Sequence, residues 1–217
     1  SVGAGAAPTF VDGTDEGTIT IYKTAADGST KVDGVEFSYL QVAEAVQYSY
    51  EDESVMRNEL VFSLTDAGKT IFNGIQADYN DNGADLYKAS TLQAKLDSLK
   101  QTAGVFENVT WTETKSTVNG AVQFGSEVEG DGLALGIYLI DETNTEGATA
   151  NGKPVEVNKA TGPFLVSVPT TINGNEWEYN VEIHAKNMIT SEGVSKVPSG
   201  DNIKTVTINN ESFPSAN

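Results

Sequence analysis

The clearest hydrophobic–polar pattern in the chain is W-E-Y-N-V-E-I-H-A-K-N, residues 177–187. Trp177, Tyr179, Val181, Ile183 and Ala185 form one row, with Asn187 at its end. Glu178, Asn180, Glu182, His184 and Lys186 form the other. A period of two predicts a strand with one face in a core and one in water. The row assigned to the core ends in an amide, and the lysine beside it falls on the outward row.

The same reasoning predicts the other elements. G-T-I-T-I-Y-K-T (17–24) reads as a strand that puts Lys23 on the face of Ile19 and Ile21. Further strands are predicted over 35–42, 60–64, 109–115, 121–124 and 164–168. Residues 48–57 are acidic and ambiguous. G-L-A-L-G-I-Y-L-I-D-E-T (132–143) is apolar on both faces and predicts a deeply buried strand, with Glu142 on the row of Tyr138 and Ile140. Ala84–Lys100 predicts a core-facing helix, because Leu92, Leu96 and Leu99 recur at helical spacing. Thr65–Lys69 predicts a turn or helix start, and residues 145–152 a loop. The fold class expected is all-β, an immunoglobulin-like β-sandwich with a helical insertion. Residues 1–16 are expected to be a flexible leader and 17–187 a domain. Residues 188–217 are expected to be a linker and the start of a following domain.

Composition narrows the function. The chain of 217 residues has 31 acidic and 13 basic side chains, a net charge of −18. That charge repels phosphate backbones and anionic lipid, which speaks against nucleic acid and membrane surfaces as partners. No run of about 18 apolar residues is available to span a membrane. Without a cysteine, disulfides, thiolate metal sites and a cysteine nucleophile are excluded, an unusual state for a β-protein outside the cell.

Lys23, Glu142 and Asn187 all fall on apolar faces. Burial lowers the pKa of a lysine and raises that of a glutamate. A neutral lysine is a nucleophile, and a protonated glutamate can bond the Asn carbonyl and shuttle protons. The product would be a Lys–Asn amide with loss of ammonia. A buried ion pair with Asn as a hydrogen-bond partner fits the same pattern. Asp78, Asn80 and Asn82, followed by Gly83, have the spacing of the first half of a calcium loop. Ala89 stands where the bidentate Glu would be required, so a turn capping the helix accounts for them better. No cofactor or metal is expected. His184, the only histidine, lies on the polar row with no nucleophile arranged around it. Asp141 and Glu142 point to opposite faces and are not a glycosidase pair.

Two of these stretches resemble motifs of one family. Y-L-I-D-E-T (138–143) is similar to the E-box of sortase-assembled pilins, written Y-x-L-x-E-T, carried here by Tyr138, Ile140, Glu142 and Thr143. W-E-Y-N-V-E-I-H-A-K-N resembles the pilin motif W-x-x-x-V-x-V-Y-P-K followed by Asn, carried by Trp177, Val181, Ile183, Lys186 and Asn187. His184-Ala185 stands where Tyr-Pro is usual. The opening strands and G-P-F-L-V-S-V-P-T (162–170) are similar to a collagen-adhesin B-type (CnaB-like) domain.

Together these resemble the N-terminal domain of a Gram-positive major, or backbone, pilin, over about residues 17–187. The resemblance implies a structural shaft subunit of a pilus on the cell wall. Its partners would be a class C sortase and other pilin subunits, polymerised head to tail. Lys186 would be the residue joined to the next subunit, Lys23 and Asn187 an internal isopeptide bond, and Glu142 its promoter. That chemistry is autocatalytic, and no other enzymatic activity is implied. An L-P-x-T-G sorting signal does not occur, as expected of a fragment or processed piece. An adhesin module of the same fold, binding a host or extracellular ligand, is the alternative.

Overall fold

The computed structural model describes residues 15–158, 162–172, 176–187 and 189–191. The expected leader and most of the expected linker lie outside the described residues. In chain order the elements begin with β1 (Glu16–Ala25), β2 (Glu36–Asp52), β3 (Val55–Leu64), α1 (Asp66–Ile71), β4 (Tyr79–Asp81), β5 (Ala84–Leu86) and α2 (Ala89–Leu99). There follow β6 (Glu113–Ser116), β7 (Ala121–Phe124), β8 (Leu133–Ala134), β9 (Gly136–Asn144), β10 (Thr149–Ala150) and β11 (Lys153–Val157). The last are β12 (Phe164–Val168), β13 (Thr170–Ile172), β14 (Glu176–Glu178), β15 (Asn180–Asn187) and β16 (Ile189–Ser191).

The fold is all-β. One sheet has the order β15-β1-β7, with β8 pairing the start of β1. The other runs β12-β9-β2-β3, with β6 pairing β2 beside its first residues. Their inner faces supply the core. Ile19, Ile21, Val122, Phe124, Val181 and Ile183 come from the first sheet, and Phe37, Tyr138 and Ile140 from the second. The β-branched run Thr18–Ile21 fits the pleated surface of β1, and Thr18 and Thr20 tie its outer face to Asn180 and Gln123. β9 is buried on both faces, as its sequence predicts. Tyr138, Ile140 and Glu142 face the first sheet. Leu139, paired with Leu40, lies on the face covered by α1 and α2. Leu92 and Leu96 are fully buried there, each burial stabilising by about 1.5–3 kcal/mol. The helices therefore form a third layer on the outer face of the second sheet.

Several predicted boundaries are corrected. The expected helix over Ala84–Lys100 begins only at Ala89. Asn82 and Gly83 both have positive φ, 51° and 93°, as a two-residue hairpin turn requires, and Ala84–Leu86 pairs back onto Tyr79–Asp81. The ambiguous stretch 48–57 is the end of a long β2–β3 hairpin. It turns through Glu53 and Ser54, again both at positive φ but without glycine.

The single strand expected over 132–143 breaks at Leu135. Its first part joins the first sheet and its second part the other. The strand expected over 177–187 breaks at Tyr179, whose carbonyl accepts the Thr18 N–H. Only Glu113–Ser116 of the stretch 109–115 pairs with β2. The predicted loop 145–152 contains β10, which pairs with β11. Among the described residues, no helix is long and apolar enough to cross a membrane.

Candidate functional site

The site is built where the two sheets meet near the ends of β1 and β9. Lys23 follows Ile19 and Ile21 on the inner face of β1, and its side chain is 0% exposed. Glu142 follows Tyr138 and Ile140 on the inner face of β9 and is 4% exposed. Lys23 Nζ donates to Glu142 Oε2 at 2.5 Å across the gap between the sheets. The Phe37 ring, whose residue pairs with Glu142 across β2 and β9, lies 6.0 Å from Nζ. Deeper in the same layer Tyr39 packs edge to face with Tyr138 and at a tilt against Phe124. Two ions out of water cost several kcal/mol each unless paired, and removing one partner from such a pair costs about 3–5 kcal/mol.

The third predicted residue belongs to β15, which runs parallel to β1. The register is Lys23 with Ala185, Thr24 with Lys186 and Ala25 with Asn187. Val181, Ile183 and Ala185 are buried, while Glu182 and His184 are exposed. Lys186 and Asn187 are the last two residues of β15. The backbone of Asn187 is thus one strand over and two positions along from Lys23, at the end of the layer that holds Glu142. Gly17 makes the close approach of β1 to the β14–β15 junction possible. A Cβ there would meet the Tyr179 carbonyl oxygen at 2.2 Å.

The rest of the E-box-like stretch holds β9 in place. Tyr138 Oη donates to the Ala134 carbonyl at 2.6 Å, and burial pushes its phenol pKa well up. Thr143, on the opposite face from Glu142, donates to Glu36 Oε1 at 3.0 Å and shares a hydrogen bond with Ser38 at 2.9 Å. Trp177 is half-buried against the core. His184 stacks on Tyr22 with ring centroids 5.0 Å apart and planes 18° from parallel.

The Asp78–Gly83 stretch has other partners. Asp78 Oδ2 accepts from the Lys88 N–H and the Thr91 hydroxyl at the start of α2, and Asn80 bonds Asp85 and Gly83 within the β4–β5 hairpin. It is a turn, tied by Asp78 to the residues that open α2.

Sequence reasoning missed Phe37 and Tyr39, which floor the site, because aromatic residues on a strand signal only core. It also missed a second buried carboxylate, Glu59, which accepts from Tyr79 Oη at 2.7 Å. Burial and the bond to Glu59 push the Tyr79 phenol far up. Here a signal was available, an acidic residue just before the apolar run Leu60–Phe62.

No curated protein sequence matches the chain. The solved structure of the full-length major pilin SpaD from Corynebacterium diphtheriae aligns with 84% of it at 21% identity and a TM-score of 0.39. The chain spans 32% of the length of that pilin chain. A family model described as the N-terminal domain of Gram-positive pilin subunit D1 matches residues 6–188. The two main sheets and the Lys23–Glu142 site lie within that span, and the chain belongs to this family of Gram-positive pilin N-terminal domains.

Proposed function

We propose that the chain is part of a shaft subunit of a covalently polymerised pilus on the cell wall. A class C sortase joins successive subunits through Lys186. An internal amide between Lys23 and Asn187, promoted by Glu142, braces the domain. The observation that carries this reading is the buried Lys23–Glu142 pair, whose lysine lies on β1, the strand next to β15.

The chemistry follows from burial. A proton passes from the Lys23 ammonium to the Glu142 carboxylate along the hydrogen bond between them. The neutral Nζ attacks Asn187 Cγ, while the Glu142 carboxylic acid donates to the amide oxygen. The C–N bond to Lys23 forms, the bond to the amide nitrogen breaks, and ammonia leaves with a proton relayed by Glu142. The first and last strands of the sandwich would then be joined, in a chain that has no cysteine for a disulfide.

Lys186 lies on β15, which ends its sheet among the described residues. The test is the intact mass of the folded protein. A mass lower than the sequence mass by one ammonia supports the bond. The full sequence mass would return Lys23 and Glu142 to a plain buried ion pair.

A further inference from the structure

We propose that Asn73 is a self-modification site. Its side chain closes a cyclic imide with the Gly74 nitrogen, and the imide opens to aspartate or isoaspartate. Asn-Gly is the dipeptide best suited to that step, because glycine has no Cβ to shield the attacking nitrogen. The chain has five, at 73–74, 82–83, 119–120, 151–152 and 173–174. The last lies outside the described residues. The fold does not treat the other four alike.

Three of them occupy two-residue hairpin turns, closed by the pairs Asp81–Ala84, Val118–Ala121 and Ala150–Lys153. Asn82, Asn119 and Asn151 stand at positive φ, 51°, 54° and 54°, as such turns require,. Closing an imide ring rotates ψ of the asparagine, and inside so short a turn that rotation pulls the paired strands apart. Two of the nitrogens are also engaged. The Gly83 N–H donates to Asn80 Oδ1 at 3.1 Å, and the Gly120 N–H donates to Asp33 Oδ1 at 2.7 Å. The nitrogen must lose that proton to attack, and beside the Asp33 carboxylate the loss would set two negative charges together.

Asn73 stands outside any hairpin. It follows α1 and keeps a negative φ. Both Asn73 and Gly74 are exposed, and a Cβ on Gly74 would meet nothing within 4 Å beyond its chain neighbours, so water reaches this peptide. In the reaction the Gly74 nitrogen gives its proton to solvent base and attacks Asn73 Cγ. The N–Cγ bond forms, the Cγ–Nδ2 bond breaks, and Nδ2 leaves as ammonia. Water then opens the ring. Cleavage at Cγ leaves aspartate, and cleavage at the main-chain carbonyl leaves isoaspartate, with the chain routed through Cγ. Asn73 lines the groove between α1 and α2, where the charged lining residue is Lys95. The product adds a carboxylate to that groove.

The experiment ages the folded chain in mildly alkaline buffer and maps its peptides by mass spectrometry, with aspartate and isoaspartate separated by chromatography. The peptide holding Asn73 should convert at least about 10-fold faster than those holding Asn82, Asn119 and Asn151, whose turns must first open. In concentrated urea the four rates should come together, since only the dipeptide then remains. Asn73→Gln, whose imide would be six-membered, should show no comparable conversion at that position. Equal rates for the four in the folded chain, a difference that persists in urea, or undiminished conversion of Asn73→Gln would each overturn the proposal. Deamidation exchanges ammonia for water and raises the intact mass, whereas a Lys23–Asn187 bond lowers it, so the two readings fail separately.

Discussion

Lys23 and Ala185 stand opposite each other in a parallel strand pair, although one lies in the first strand of the chain and the other near the end of β15. This register brings the backbone of Asn187 to the edge of the layer in which Lys23 meets Glu142. Parallel pairing also means that tension on the end of β15 shears the β1–β15 ladder along its length rather than unzipping it bond by bond. A covalent link at that end would carry the load past the ladder.

Glu142→Ala is expected to leave Lys23 and Asn187 unlinked. Its intact mass, corrected for the substitution, should exceed that of wild type by one ammonia. By analogy with a disulfide closing a loop of similar length, the loss is at most about 5 kcal/mol, or roughly 10–20 °C in Tm for a domain of this size. Protease resistance should fall with it. Mass spectrometry and a thermal melt check both, and a Glu142→Ala protein that still lacks the ammonia would assign the promoter role elsewhere.

Lys186→Ala should fold as wild type does and accumulate as monomer when offered to its sortase. Gel ladders of high molecular weight from this variant would mean that another lysine is the acceptor. Lys31 would be the first to test. It bridges to Thr24, the residue that pairs with Lys186 on the other side of β1.

What could be read from the chain follows from where its pattern had one physical cause. Alternation in β1 and β15 reflects a single buried face, so Lys23 was placed in the core from sequence, and it is buried. The doubly apolar run of β9 marked a strand covered on both sides. The pairing of β1 with β15 was legible only through the family resemblance, since a Lys23–Asn187 bond needs those strands side by side; nothing in either segment's own pattern gives their neighbourhood or parallel direction.

The breaks at Leu135 and Tyr179 were also hidden, because side-chain alternation continues while the chain passes from one sheet to another. The β2–β3 hairpin was missed for a different reason. Its turn places Glu53 and Ser54 at positive φ, where the usual signal is Asn or Gly. The Asn82-Gly83 turn did carry that signal, and helix periodicity in the following residues outweighed it.

One pH effect is confined to the β1–β2 connection. Asp27 accepts hydrogen bonds from the Thr30 hydroxyl and from the Thr30 and Ser29 N–H groups. The Thr30 hydroxyl bond is the largest of the causes that lower its carboxyl pKa, to about 2. A lowered folded-state pKa means that the stabilisation is complete above the ordinary aspartate range and is lost as pH falls through about 2,. The Ser29 and Thr30 amide resonances should therefore hold still from neutrality to pH 4 and move only below it. An ordinary aspartate midpoint for those amides would show that the turn is open in solution.

The last prediction concerns the layer outside the second sheet. Gly68, in the six-residue helix α1, is buried against β2. A Cβ placed on it would fall 1.9 Å from the Val42 carbonyl oxygen, and that oxygen already accepts the Thr65 N–H. Val42 itself sits at the irregularity where β2 slips against β9 between Gln41 and Ala43, so the backbone there is held from two sides. Gly68→Ala sets two effects against each other. Alanine favours a helix over glycine by about 1 kcal/mol. Overpacking against backbone costs about 1–3 kcal/mol, because the obstacle is not the mobile end of a side chain. The clash should win, with a net loss of up to about 2 kcal/mol and a Tm lower by roughly 2–8 °C. A urea melt with unchanged m-value and a lower midpoint is the expected result. If the variant is as stable as wild type or more so, α1 sits further from β2 than this contact requires.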